Sequence, residues 1–399
     1  MKSKEIYLDH SATTYLDPRV KKQMDKYFCE EFGNPGSFNT IGLRAKKAIA
    51  KARNGIANIL GAKPNEIVFT GTGTESVNLA IKGVVRANKD KGKHIITTTI
   101  EHHAVLDTCE YLEKYEGFKV TYLEVDKYGS VTPEQVEKAI RKDTVLISVM
   151  YANNEIGTIE PIKEIGKIAK KHKVLFHTDA CQAGCSQDLN VNNLNVDLMT
   201  LNGSKIYGPK GTGMLYIRKG VRIQPIIHGG GQERGLRSGT ENVPGIVGLA
   251  KALELCQKEK EKENQRLIKL RDKLIKEITS KIPKTFLNGH PTKRLPNNAN
   301  ITILDIEGEA IMLYMNKYGI CASSGSACTS KTLDPSHVIM AIGLPYEAAH
   351  GSIRFSIGSR TTEKDIDKVI KVLPGIVENL REISPVNLEL EDVLEKVIK

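Results

Sequence analysis

Tryptophan is absent from the 399 residues, and aromatic side chains make up only 5% of them. Single-stranded nucleic acid is held largely by bases stacked on aromatic rings, so the chain has little material for that mode of binding. No stretch reaches the ~18 apolar residues that a membrane span requires. The start of the chain runs from Met1 straight into strand-like Ile6-Tyr7-Leu8, with no apolar signal core before it. Cysteine is sparse and unpatterned: Cys29, Cys109, Cys181, Cys185, Cys256, Cys321 and Cys328 are odd in number and share no spacing. That argues against a disulfide framework. Cys181 and Cys185 lie near His177, but no second ligand pair completes a zinc site. These absences fit a reducing cytoplasm, with no membrane and no direct nucleic-acid partner expected.

The formal charge is +11, with the lysines spread along the chain rather than gathered in a block. It reads as a lysine-rich solvated surface, able to attract acidic partner proteins. The length allows two domains, or one large α/β domain with an addition.

From about residue 60 to 220, short apolar runs alternate with helical patterns. The runs are Glu66–Thr70, His94–Thr99, Lys119–Leu123, Thr144–Met150, Val174–Thr178, Val196–Leu201 and Gly213–Ile217. Several are rich in Val, Ile and Thr, as buried strands are. Helices are expected between them, for example over Thr74–Asn88 and Pro161–His172. Alternation of this kind implies an α/β fold with a mostly parallel sheet covered on both faces. A long helix is expected over 243–280, with Leu267, Leu270, Leu274, Ile275 and Ile278 on one face. It bridges to a region with strands at Ala299–Leu304 and Ser352–Ile357, and helices at Gly308–Tyr318 and after Thr362. The tail from Ser384 reads as a docking helix.

Three features with chemical meaning follow strands. Gly71-Thr72-Gly73-Thr74-Glu75-Ser76 precedes a helix; small residues and free helix-start amides suit a phosphate. The third glycine of a dinucleotide fingerprint is missing, because Ser76 stands in its place. Asp179 closes a strand, where a carboxylate is placed to keep a pyridine nitrogen protonated. Lys205 follows Asn202-Gly203-Ser204 at another strand end, where an amine can condense with an aldehyde. Taken singly, each has an ordinary structural explanation, such as a turn, a helix cap or a surface lysine. Their succession at strand ends points to one buried site.

With these in place, the sequence resembles the NifS/IscS-like cysteine desulfurases of the class V aminotransferase family. The match runs from Tyr7-Leu8-Asp9-His10-Ser11-Ala12-Thr13-Thr14 through Glu101-His102-His103 and Asn153-Asn154-Glu155. It continues through His177-Thr178-Asp179-Ala180-Cys181-Gln182 and Arg237-Ser238-Gly239-Thr240-Glu241-Asn242 to Ser324–Ser330 and Ser352-Ile353-Arg354. The resemblance implies a fold type I transferase dependent on pyridoxal 5'-phosphate (PLP), with a mainly parallel seven-stranded sheet and a smaller α+β domain. The large domain would be 15–262. The smaller one would be 1–14 with 263–399, carrying the cysteine loop.

Carried over by position, Lys205 is the lysine that binds the cofactor and Asp179 pairs with its ring nitrogen. His103 stacks on the ring and Gln182 bonds its hydroxyl. Gly73, Thr74, Asn202 and Ser204 lie on the phosphate, with Thr240 of the partner subunit. Asn34, Asn154 and Arg354 hold the substrate, Asn154 also facing the cofactor. Asn202 and Ser204 depart from the Ser and His usual in the family, and Gly71 and Thr72 from Ser and Gly. Cys328 takes the sulfur of L-cysteine as a persulfide, leaving alanine. A resident metal is not expected; Cys328 is at most a transient iron–sulfur ligand. A homodimer is implied, with an iron–sulfur scaffold or a thiolation protein as acceptor. Two competing readings remain: a selenocysteine lyase or related PLP enzyme, and a non-catalytic fold relative that acts by binding.

Overall fold

The computed structural model describes residues 5–324 and 335–398. Its first strand, β1 (Ile6–Tyr7), leads into the residues that later line the site.

Seven strands then form the main sheet: β2 (Ile67–Thr70), β3 (His94–Thr98), β4 (Lys119–Leu123), β5 (Thr144–Ser148), β6 (Leu175–Asp179), β7 (Leu198–Asn202) and β8 (Gly213–Ile217). Their order is β2-β8-β7-β6-β5-β3-β4. The pairs from β7 to β4 are parallel, whereas β8 runs antiparallel to both its neighbours. Every residue of β2, β3, β5 and β8 is buried, as expected of strands covered on both faces. The edge strand β4 is partly exposed and starts with Lys119, a charge that discourages further strand pairing.

A 39-residue helix, Val243–Lys281, begins with Pro244 in its first turn and Asn242 as its cap, accepting from the Gly245 amide at 3.0 Å. Val243, Ile246, Leu249 and Leu253 pack into the core under the main sheet. Leu267, Leu270, Leu274 and Ile278 pack into a second core.

That second core belongs to an antiparallel sheet in which β9 (Thr285–Asn288) and β10 (Asn298–Ile303) are followed by β11 (Ile320–Cys321), β12 (Ser323–Ser324) and β13 (Ser352–Ser356). The sheet order is β12-β13-β10-β9, and β11 pairs instead with β1, in parallel. The helix Glu363–Ile383 covers it with Ile366, Val369, Ile370 and Leu373, entered through a Thr362–Asp365 capping box. The terminal helix is Leu390–Ile398, and Val393 is buried in a cluster with Leu304 and Ile339. Among the described residues, no helix is long and apolar enough to cross a membrane.

Candidate active site

Three strand ends of the main sheet meet at the site. The β2 strand ends at Thr70, and the helix Gly73–Ala87 starts after Thr72, whose hydroxyl accepts from the Glu75 amide at 3.0 Å. A methyl group on Gly73 would lie 3.0 Å from Cys181 Sγ and 3.2 Å from Asn202 Nδ2. The glycine therefore leaves a small polar recess at the positive end of a 15-residue helix. The Glu75 carboxylate accepts from the Gly71 amide at 2.8 Å and from Arg237 Nε at 2.9 Å, tying the loop with Thr240 to this turn. Both Thr74 and Thr240 are exposed.

The departures at 202 and 204 form a unit. Asn202 Oδ1 accepts from the Ser204 amide at 2.8 Å and from Ser204 Oγ at 2.9 Å. The Ser204 proton is thereby committed to Asn202, while the Asn202 amide group faces the recess at Gly73. Lys205 closes this turn; its Nζ donates to the carbonyl of Ser11 at 2.9 Å and also to that of Ala12. Gln182 Nε2 donates to the same Ser11 carbonyl at 3.0 Å. The segment after β1 thus bridges Lys205 and Gln182.

Asp179 ends β6, opposite Thr200 of β7, and its carboxylate accepts from the Cys181 amide at 3.0 Å. Burial, reinforced by the neighbouring Asp179 charge, pushes the Cys181 thiol well up, so it stays protonated. His177 is fully buried with one ring nitrogen on Ser148 Oγ (2.9 Å) and the other on Thr200 Oγ1 (3.0 Å). Neither nitrogen is left for a metal. Among the described residues, no group of three His, Cys, Asp or Glu side chains could hold a metal ion.

The two neighbouring histidines are placed differently. His103 is turned outward, 3.3 Å from Asp107 and with its ring tilted 59° to that of His337 at 4.8 Å. His102 caps the helix His103–Glu116, and its Nδ1 accepts from the Ala104 amide at 3.0 Å. Burial lowers the His102 pKa, with the Asp179 charge opposing that shift and the Lys205 charge reinforcing it. It is therefore His102 that lies in the field of Asp179 and Lys205. The cap position was the available signal: a residue before the first helical turn points along the helix start, where ligands sit.

On the other side stands Arg354, in β13 and 4% exposed. Its Nη2 donates to Asp9 Oδ1 at 2.8 Å and its Nη1 to the Asn154 carbonyl at 3.2 Å; its Nε is buried without a partner. Asp9 was not singled out from sequence, being 345 residues away. Asn34 is exposed and its side chain accepts from the Gly36 amide at 2.9 Å, outside this constellation. Cys328 lies outside the described residues, but both flanks of its segment are anchored here. Ser323 pairs with Arg354 in the β12–β13 ladder, and Ser336 Oγ donates to the buried carboxylate of Glu155, next to Asn154.

The family description Aminotransferase class-V matches residues 6–369. A cysteine desulfurase IscS of Methanosarcina thermophila is 57% identical over 383 residues, covering 96% of this chain and 94% of that one. The chain belongs to the cysteine desulfurases of the class-V aminotransferase family. A solved structure described as a NifS-like protein superposes with a TM-score of 0.89 at 40% identity, covering 94% of this chain and all of that one. One of SspA in complex with cysteine gives 0.79 at 38% identity, covering 88% of this chain and 98% of the other.

Class-V aminotransferases use PLP, and the residues present fit that group. The recess at Gly73 offers helix amides and the Asn202 amide to a phosphate. The buried carboxylate of Asp179 and the partly buried amine and imidazole of Lys205 and His102 surround the adjoining space.

Proposed function

We propose that this chain is a PLP-dependent cysteine desulfurase that passes the sulfur of L-cysteine to an acceptor through Cys328. The observation that carries the reading is the convergence of Lys205, Asp179 and the Gly73 recess at the ends of β7, β6 and β2, with β8 between β2 and β7, opposite Arg354 and both flanks of residues 325–334. PLP would be held by Lys205, Asp179, Gln182, Gly73, Thr74, Asn202 and Ser204, with Thr240 of the partner subunit in a homodimer. His102, rather than His103, would cover the ring. The group supplies an electron sink for charge at the substrate Cα.

The chain's own residues do the rest. Arg354, with Asn154, binds the substrate carboxylate as a two-pronged clamp. Lys205 Nζ takes the Cα proton and returns protons as the carbon–sulfur bond weakens. The Cys328 thiolate attacks the substrate sulfur. One cysteine and one thiol give one alanine and one persulfide, so atoms balance. The acceptor would be an iron–sulfur scaffold or thiolation protein of the cytoplasm. We assign 15–262 to the cofactor-binding domain and 1–14 with 263–399 to the other.

The test is to incubate the purified protein with cysteine and measure alanine together with the mass of the Cys328 peptide. Alanine with a persulfide on Cys328 is expected, and Cys328→Ser should lose the persulfide. Borohydride treatment should leave a pyridoxyl adduct on Lys205. An adduct at another lysine, or full sulfide release by Cys328→Ser, would overturn the proposal.

A further inference from the structure

Against the backbone of the Lys205 turn, two cysteines far apart in sequence meet. Cys185 lies in the turn that follows Gln182, and Cys256 lies on the helix Val243–Lys281. Their sulfurs are 2.6 Å apart. That is about half an ångström more than the length of a disulfide bond. Both are free thiols in the structure.

The contact is held from several sides. Gln257 Nε2 donates to the Gly184 carbonyl at 2.8 Å, and Asn264 Nδ2 donates to the Ser186 carbonyl at 2.9 Å. The helix thus grips the turn on either side of Cys185. A cavity of about 230 Å³, lined by Arg19, Tyr207, Glu259 and both cysteines, adjoins the pair and has room for a small molecule. Cys256 Sγ donates to the Ile206 carbonyl at 3.4 Å, and Cys185 Sγ lies 4.0 Å from the Lys205 carbonyl. Neither thiol belongs to the set that holds cofactor or substrate.

We propose that Cys185 and Cys256 form a reversible dithiol/disulfide site, oxidised by low-molecular-weight disulfides that enter this cavity. One protein thiolate attacks the small disulfide and releases one small thiol, leaving a mixed disulfide. The second protein thiol attacks that link and releases the second small thiol. The protein pair is oxidised by two electrons and the small disulfide is reduced to two thiols. The product fastens the Gln182 turn to the long helix and removes both sulfhydryl donors from the backbone of the Lys205 turn.

The holoenzyme, and the same chain carrying Cys328→Ser so that the loop thiol does not compete, are treated with bis(2-hydroxyethyl) disulfide. They are then quenched in acid, alkylated and digested for mass spectrometry. Exposed Cys29 reports that the reagent acted, by gaining a hydroxyethyl adduct. The expected product is a peptide pair joined through Cys185 and Cys256, lighter by two hydrogens, with alkylation of both falling roughly tenfold and recovering after dithiothreitol. In Cys185→Ser the joined peptide is lost and Cys256 instead retains a single adduct. Full alkylation of both residues once Cys29 is modified, or separate stable adducts on each, would overturn the proposal. The wild-type measurement stands even if the variant fails to fold.

Discussion

Arg354→Lys separates substrate binding from architecture. The guanidinium is 4% exposed, spends Nη2 on Asp9 and Nη1 on the Asn154 carbonyl, and keeps Nε unpartnered. A substrate carboxylate on this fork gains charge-assisted hydrogen bonds of about 1.5–3 kcal/mol each. Lysine retains the charge but presents a point donor instead of a fork. Loss of one such bond, ~2 kcal/mol, corresponds to a KM for cysteine raised roughly 30-fold. The turnover number should change little, because the clamp binds ground state and transition state alike. Arg354→Ala loses both bonds and leaves Asp9 without its cation, so kcat/KM should fall by about three orders of magnitude. The assay is alanine release against cysteine concentration, with thermal unfolding of each variant measured alongside. A Lys variant that melts earlier yet keeps its KM would refute the argument. Arg354 would then be only the structural partner of Asp9.

Other outcomes follow from the same geometry. Gly73→Ala places a methyl 3.0 Å from Cys181 Sγ and 3.2 Å from Asn202 Nδ2, in the phosphate recess, so PLP affinity should fall about tenfold; equilibrium titration with PLP checks this, with melting of the unloaded protein read alongside. Burial raises the Glu160 pKa to about 8. The raised value means that stability is full below the unfolded carboxylate pKa and is lost as pH rises through about 8; urea midpoints should show this decline flattened in Glu160→Gln. Arg53 Nη2 meets the buried Glu233 carboxylate at 2.6 Å. Arg53→Met should therefore cost ~3 kcal/mol in urea unfolding, since it strands a buried charge that also accepts from the Phe69 amide.

The main sheet was legible because its strands are buried and rich in β-branched residues. Lys119–Leu123 and Gly213–Ile217 have the expected bounds, and Val174–Thr178 shifted by one residue to Leu175–Asp179. β1 lies within the strand-like Ile6-Tyr7-Leu8, but β11 and β12 span two residues each and carry no period to read. Lys205, Asp179 and the Gly73 turn, which the structure brings together, stood out in the sequence because ligands bind at strand ends in such sheets. The choice between His102 and His103 turns on a one-residue helix boundary, where propensity says little. The Arg354–Asp9 and Cys185–Cys256 pairs were invisible because nothing local distinguishes residues that meet only through the tertiary fold.

The long helix has a consequence for how the molecule tolerates change. Its early turns are keyed into one core and its late turns into another, with a mostly polar stretch between Cys256 and Gln265. One residue inserted in that stretch would rotate everything beyond it by about 100°. Leu267, Leu270 and Leu274 would then swing off their core, and Arg354 would lose its alignment with Lys205. Apart from Gln257 and Asn264, which hold the Cys185 turn, substitutions in the polar stretch should be cheap and length changes ruinous: the helix works like a camshaft, whose angular phase matters more than its surface.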